Sequence, residues 1–450
     1  MDTAEQVIRP MKIRSVDIQN FRAIGHLALP LDPKLTALHG VNGHGKTSVL
    51  GAIALGLGAA TRFLTGSAGV AFRQSDLRHG ALSASVTIQT VAGWGWSRQF
   101  TAAPEKEAGF TTDNVSGGKE LRDHLGPLLE AAKAQYSPGA GSEPPTDLPL
   151  FAFYDTDRAV FDLPLRRRNF ATEFNRFAAF DDALSAKTSF KALFEWFHAR
   201  ENEELRLQRG QMSFEASIKD LDAVRRAIES MMPGVTDPHI EVHPLRFLVT
   251  LNRPPQPPQT LSLSQLSGGY RIMIALVADL ARRMALANPH LDDPLQSEAI
   301  ALIDEVELHL HPEWQQRVLE DLTRTFPNTQ FIVSTHSPQV LTTVRPEQIV
   351  HMESAADGVA AYSEAGPTYG AEAGDVLSAT MRVAERPPAN AFTETLDAYR
   401  TMVRQGQGET DRARGLRRRL EELSPHDKAL AAADVEIRRQ AVMRDLQARR

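Results

Sequence analysis

The chain has 450 residues, 42% hydrophobic and 24% charged, with a formal net charge of −6, enough for two or three domains around a sizeable core. It contains no cysteine, which excludes disulfides, thiolate zinc sites and cysteine nucleophiles and suits a reducing cytoplasm. The acidic balance excludes a globally basic surface, so any nucleic-acid contact needs a local patch.

Residues 1–10 read as a loose leader, with Met11 an alternative start; "MDTAEQVIRPMKIR" lacks an apolar signal core. No apolar run approaches the ~20 residues needed to span a bilayer, so the expectation is a cytoplasmic protein without membrane contact. Lys12–Ile18 alternates as a strand, and "LTALHG" (35–40) is a second one. It runs into "GVNGHGKTS" (40–48), which fits G-x-x-x-x-G-K-[ST] with Gly40, Gly45, Lys46 and Thr47 in place. Between a strand and a helix, such a loop curls its backbone N–H groups around phosphate oxygens. Lys46 reaches the β/γ-phosphates, Thr47 can hold Mg²⁺, and Asn42, Gly43, His44 and Ser48 complete the cradle. The expectation is a nucleoside triphosphate with Mg²⁺. Thr47–Gly58 reads as a buried helix, 84–91 and 93–100 as antiparallel strands, and 101–149, rich in Gly, Pro, Ser and Glu, as a flexible linker.

"LFAFYDTDRAVF" (150–161) predicts a strand and turn, and Phe170–Met232 is helical in pattern, a short lobe or hairpin. Residues 239–251 return to strand, and "NRPPQPPQT" is a proline-rich turn. "LSQLSGGY" (263–270) follows, ahead of a helix with Met273, Leu276, Val277, Leu280 and Met284 on one face. Ser267 is a natural N-cap, and Gly268 and Gly269 permit close backbone approach to a ligand. One reading is a capped helix; the other is a second anion-binding helix end that serves the nucleotide of a second copy, since one phosphate loop already fills the local site.

"AIALIDEVELHLHPEW" (299–314) is a buried strand ending in adjacent carboxylates. Phosphoryl transfer divides the work between such a pair: Asp304 for the metal, Glu305 to orient the attacking water. His309 and His311, with Glu307 and Glu313, form a weak metal pattern; Pro312 better reads as the start of the next helix. "FIVSTHSPQVL" (331–341) brings His336 to a turn after a strand, where an imidazole can donate to the γ-phosphate. Short strands follow at 345–365, and from Ala371 the chain is helical and rich in arginine.

The motif order "GVNGHGKTS", "LSGGY", "ALIDEVELHLHP", "STHSP", with the opening "IRSVDIQNFRAIG", resembles the ABC-type ATPases of the SMC/RecF kind. The resemblance implies an α/β fold: a P-loop NTPase with an ABC-type ATPase head, a mixed sheet flanked by helices, a short helical insertion and a helical C-terminal tail. In that family two heads sandwich two ATP molecules. By position, Lys46 and Thr47 belong to Walker A, Ser267–Gly269 with Tyr270 to the signature offered in trans, Asp304 and Glu305 to Walker B, and His336 to the switch. Gln74 in "FRQSDLRHG" matches the Q-loop glutamine that joins the metal shell, and Arg22 approaches the phosphates. Tyr270 departs from the usual glutamine. The domains expected are 1–100, an N-terminal head lobe; 101–149, a linker; 150–235, a helical insertion; 236–365, a C-terminal head lobe; and 366–450, a helical partner or oligomer-contact region.

"FYDTDRAVF", "FDDALSAKTSFKALFEWFHARENEE" and "DVLSATMRVAERPP" narrow the likeness to the PtuA-type ATPases of Septu and Septu-like retron anti-phage systems. That family works with a separate HNH nuclease, which the resemblance implies as partner alongside self-association. Asp155-Thr156-Asp157 is a D-x-D, a pair of the kind that holds Mg²⁺; it reads instead as a turn of this family segment, and any cutting belongs to a partner. Arg166–Arg168 and the run Arg412, Arg414, Arg417, Arg418, Arg419 are either solvated faces or sites of DNA or RNA contact. A RecF-like repair or recombination ATPase acting on DNA, and a nucleotide-gated scaffold with slow incidental turnover, remain the alternatives.

Overall fold

The computed structural model describes residues 11–66, 70–102, 110–134, 145–156, 174–185, 190–356, 358–363 and 366–448. Arg166–Arg168 and Asp157 lie outside them. In chain order the strands are β1 (Ile13–Phe21), β2 (Ile24–Pro30), β3 (Leu35–His39), β4 (Ser83–Thr90), β5 (Gly95–Ala102), β6 (Phe110–Ser116) and β7 (Leu150–Tyr154). Then come β8 (Val235–Val242), β9 (Leu245–Leu251), β10 (Gln259–Ser262), β11 (Ala299–Ile303), β12 (Thr329–Thr335), β13 (Ile349–Ala355) and β14 (Gly358–Ser363). The longer helices of the first unit are α1 (Lys46–Thr65), α2 (Gly118–Ala134), α3 (Phe190–Gln211), α4 (Lys219–Met231) and α5 (Gly268–Ala287).

Where the sequence is continuously apolar, strands are buried on both faces and pair in parallel. β3, β7, β11 and β12 are buried at every position and form one side of a six-stranded sheet, β14-β13-β3-β12-β11-β7, with β7 at its edge and only β14 antiparallel. Where the sequence alternates, the five-stranded antiparallel sheet β2-β1-β4-β5-β6 forms. The fold is thus α/β, a mixed sheet flanked by helices, as expected.

Between the two sheets runs α1, and its run of small residues has a packing reason. A Cβ on Gly56 would lie 2.7 Å from Ile88 of β4, while the Gly56 carbonyl accepts from Trp96 Nε1 at 2.8 Å and the Leu55 carbonyl from Arg98 Nη1 at 2.8 Å. α1 is long and apolar enough to cross a bilayer, against the expectation that no run was; most of it is buried inside the protein.

Three further expectations change. The stretch 101–149 is not simply a linker: it holds β6 and α2, which buries Leu121, Leu125 and Leu129 at four-residue spacing. Pro127 and the surrounding Gly and Ser obscured that stripe. Residues 239–251 are a hairpin, β8 and β9, rather than one strand. β7 belongs to the central sheet, so the helical lobe of 150–235 is narrower than its bounds: α3 and α4, with Phe190 and Phe197 packed edge-on against Phe247 of β9.

The chain divides into two compact units, 1–376 and 377–450, the second beginning eleven residues later than the expected boundary at 366. In the second unit, helices Ala391–Arg404, Asp411–Leu423 and Lys428–Ala448 close around Leu396, Tyr399, Val403, Leu420 and Leu430. Arg417, one of the candidate basic residues, is engaged inside this unit by Asp434 at 2.7 Å and Glu421 at 2.8 Å.

A buried charge cluster fixes α5 to the central sheet. Asp279 Oδ1 and Oδ2 accept from Arg282 and Arg283, each at 2.7 Å, and Tyr154 of β7 donates its hydroxyl to Asp279 at 3.1 Å. Burial alone would raise the Asp279 carboxyl; the two guanidiniums overcome it and hold it at about 2. Its contribution is therefore present above the ordinary carboxylate range near pH 4 and fades as pH falls toward 2. Asp279→Ala strands two buried cations and is expected to cost about 3–5 kcal/mol, read as a lowered midpoint in chemical denaturation at pH 7.

Candidate nucleotide site

All five parallel strands of the central sheet point their carboxyl ends to one edge, where ligands bind in open α/β sheets. β3 sits between β13 and β12, and its loop turns directly into α1. Gly45 has φ 85, and a Cβ there would lie 2.9 Å from Val359; a Cβ on Gly40 would lie 2.2 Å from the Met352 carbonyl oxygen. No side chain caps α1, so its first N–H groups remain for an anion.

Lys46 is buried at 6% exposure and donates to the carbonyls of Gly40 (2.9 Å) and Val41 (3.1 Å). Burial pushes its pKa down, opposed by the charges of Asp304, Glu305 and Glu307. Thr47 donates its hydroxyl to Asp304 at 2.7 Å, joining residues 257 positions apart. Asn42 and Gly43 are exposed at the rim, with Ser48 partly buried beside Thr47. The His44 ring turns to the Met352 carbonyl, with Nδ1 3.1 Å away.

Strand register explains the rest. Ile303 of β11 pairs with Val333 of β12, and Thr335 with His39 of β3. Asp304 therefore stands beside Ser334, whose hydroxyl donates to its Oδ1. The same hydroxyl accepts the Glu305 N–H at 2.8 Å, fixing a residue with φ 46. His336 follows one residue beyond the pair with β3, next to the phosphate loop. Burial lowers its pKa, reinforced by Lys46 and opposed by Asp304; it is the neutral imidazole at pH 7, able to donate from one nitrogen.

Arg22 lies against the second turn of α1, its Nη1 3.3 Å from where a Gly51 Cβ would be, and its Nε pairs with Asp76 at 2.9 Å. It shares a cavity of about 330 Å³ with Thr47, Arg73, Asp76 and Asp155. Gln74 is exposed and opens the one-turn Gln74–Asp76 helix; none of the hydrogen bonds described joins it to Thr47 or Asp304.

Ser267 occupies the N-cap of α5 but makes no capping bond; it is exposed, and Gly268 is half-buried. Gly269 is needed where the His309 carbonyl comes close: an added Cβ would lie 2.6 Å from that oxygen. Tyr270 is buried, stacked edge-on against Trp314 with centroids 4.4 Å apart, and accepts from Arg253 Nη2 at 3.0 Å. It anchors the helix start rather than facing outward. His311 caps the Pro312–Gln315 turn through Nδ1.

Three residues at this edge were not among the expected site residues, Ser334 because it was not considered, Glu307 and Asp155 because each was weighed for metal binding and set aside. Ser334 and Glu307 depend on β11–β12 register, which no local motif encodes. Asp155 follows Tyr154, whose carbonyl accepts the Asp304 N–H at 2.8 Å, so the carboxylate set aside as a turn stands one strand from Asp304.

The family described as "AAA domain, putative AbiEii toxin, Type IV TA system" matches residues 35–342. "Retron Ec83 probable ATPase" of Escherichia coli is 28% identical over 490 aligned positions, covering 95% of this chain and 86% of that protein. "Septu protein PtuA" of Bacillus mycoides (strain KBAB4) is 41% identical over 76 residues, 17% of this chain and 10% of that protein. Among solved structures, an SMC head bound to the C-terminal winged-helix domain of ScpA is 18% identical with a TM-score of 0.47, covering 78% of this chain and 98% of that one.

Proposed function

Since the chain belongs to the AAA domain family matched over residues 35–342, we propose that it is a Mg²⁺-dependent ATPase of a bacterial anti-phage defence system. The single observation that carries the ATPase reading is the Thr47–Asp304 hydrogen bond at the carboxyl edge of the sheet. A hydroxyl and a carboxylate held together beside an uncapped helix start would hold an oxygen-seeking Mg²⁺ together with phosphate oxygens and water. When bound, the ion neutralises charge on the β- and γ-phosphate oxygens.

The protein's own groups do the remainder. The first N–H groups of α1 and the Lys46 ammonium bind the phosphates, and Lys46 exchanges its loop carbonyls for phosphate oxygens. Glu305 orients the attacking water, and His336 donates a hydrogen bond toward the γ-phosphate. Ser267–Gly269 of a second copy complete the site, giving an ATP-dependent head dimer, and Arg22 and Gln74 supply outer contacts. The retron and Septu relatives support the defence role. The partner proposed is a separately encoded HNH nuclease in the cytoplasm, gated by the nucleotide state.

The test is phosphate release from ATP by purified protein, with Mg²⁺ and with EDTA, together with recovery of a nuclease in affinity purification from the native host. Lys46→Ala is expected to weaken ATP binding by about 10–100-fold, the loss of a hydrogen bond to a charged group. Equal ATP affinity in wild type and Lys46→Ala would refute the assignment of the phosphate loop.

A further inference from the structure

Glu307 is two residues beyond Glu305, and the chain bends so that its carboxylate returns to the sheet edge. Glu305 has φ 46 and His309 φ 62, and the Leu308 and Leu310 N–H groups close successive turns onto the carbonyls of Glu305 and Glu307, both at 2.9 Å. Residues 304–307 are joined to 334–336 step by step. Asp304 and the Glu305 N–H share the Ser334 hydroxyl; the Val306 N–H donates to the Ser334 carbonyl at 3.0 Å; and Glu307 Oε1 accepts the backbone N–H of His336. That last link is the one by which a side chain of this loop holds the residue bearing the imidazole.

The other oxygen matters too. Glu307 Oε2 is closed off from water and carries no hydrogen bond of its own, while the His336 N–H, the residue's own N–H and the Thr335 hydroxyl share the carboxylate. A buried carboxylate oxygen without a donor is destabilising and calls for an explanation. Violations of this kind collect at functional sites, and this one faces the phosphate loop: Glu307 is among the three carboxylates whose charge acts on Lys46.

We propose that Glu307 is a positioning residue for ATP hydrolysis, fixing the backbone of His336 to the loop behind Asp304 and Glu305 so that the imidazole and the water-orienting carboxylate keep one spacing. The role rests on the ATPase reading above. It acts through His336 rather than on substrate, so its loss changes the rate of the chemical step and leaves ATP affinity alone.

The test compares wild type, Glu307→Ala and Glu307→Gln in two measurements: hydrogen–deuterium exchange at the His336 amide without nucleotide, and steady-state ATP hydrolysis. Glu307→Ala should lose amide protection and fall about 10–100-fold in kcat, the scale of a small misplacement of catalytic groups, with KM for ATP within about twofold. Glu307→Gln should restore the protection and most of kcat. Wild-type kcat in Glu307→Ala with the amide deprotected would overturn the role, as would Glu307→Gln being as slow as Glu307→Ala, or a raised KM with kcat intact. Those results differ from failure of the ATPase reading, in which wild type itself releases no phosphate and both ideas fall.

Discussion

Glu305→Gln is expected to lower ATP turnover by about 10²–10³-fold while leaving ATP affinity within a few-fold of wild type, the effect of removing one well-aimed catalytic group. The substitution keeps the shape, turns one acceptor oxygen into a donating NH₂, and removes the charge that orients and accepts a proton from water. The backbone there is fixed by the Ser334 hydroxyl at 2.8 Å, so the amide should sit where the carboxylate sat. The Glu305 charge also acts on Lys46; neutralising it leaves Asp304 and Glu307 to balance the ammonium, so binding survives. Single-turnover kinetics alongside equilibrium nucleotide binding separate the two steps. Unchanged turnover would remove Glu305 from the catalytic role. Lost turnover with intact phage protection would instead favour a nucleotide-gated scaffold.

How far the site could be read from sequence depended on how locally each part is encoded. The loop proposed to hold phosphate was legible because its residues are contiguous: Gly40 through Thr47 carry both the left-handed turn at Gly43 and Gly45 and the side chains proposed to bind. Asp304 and Glu305 were legible because five consecutive buried residues announce a central strand and the charges mark its end. Ser334 and Glu307 were not, since each acquires its partner only through the pairing of Ile303 with Val333, a tertiary fact. Asp155 was set aside as a turn of a family segment, and only the pairing of β7 with β11 brings it near Asp304. Tyr270 looked like a departure within a ligand-facing motif, whereas its ring is spent on Trp314 and Arg253. The helix within 101–149 was hidden by composition: the glycines, serines and proline that signal a loop outweigh three leucines spaced along one face.

Ser267→Arg is expected to leave ATP binding by a single copy nearly unchanged and to weaken ATP-driven dimerisation by about 100-fold or more, the loss typical when a central interface contact is destroyed. The start of α5 is built for close approach. Ser267 is exposed with its hydroxyl free of any capping bond, and Gly268 presents backbone rather than side chain. Behind them Gly269 packs on the His309 carbonyl and Tyr270 on Trp314, so the loop has little freedom to retreat. A helix start so presented offers N–H donors and positive potential to an anion, yet α1 is the helix proposed to bind the phosphates of its own chain. A phosphate of a second copy is the ligand proposed for it. An arginine at 267 would spread a long side chain across those donors and hold the two heads apart, despite its own charge. Light scattering with ATP in a Glu305→Gln background, where hydrolysis does not dissolve the dimer, reads the effect directly. A Ser267→Arg protein that dimerises with ATP as readily as its parent would show that α5 does not complete the partner's site, and the free helix start would then need another ligand.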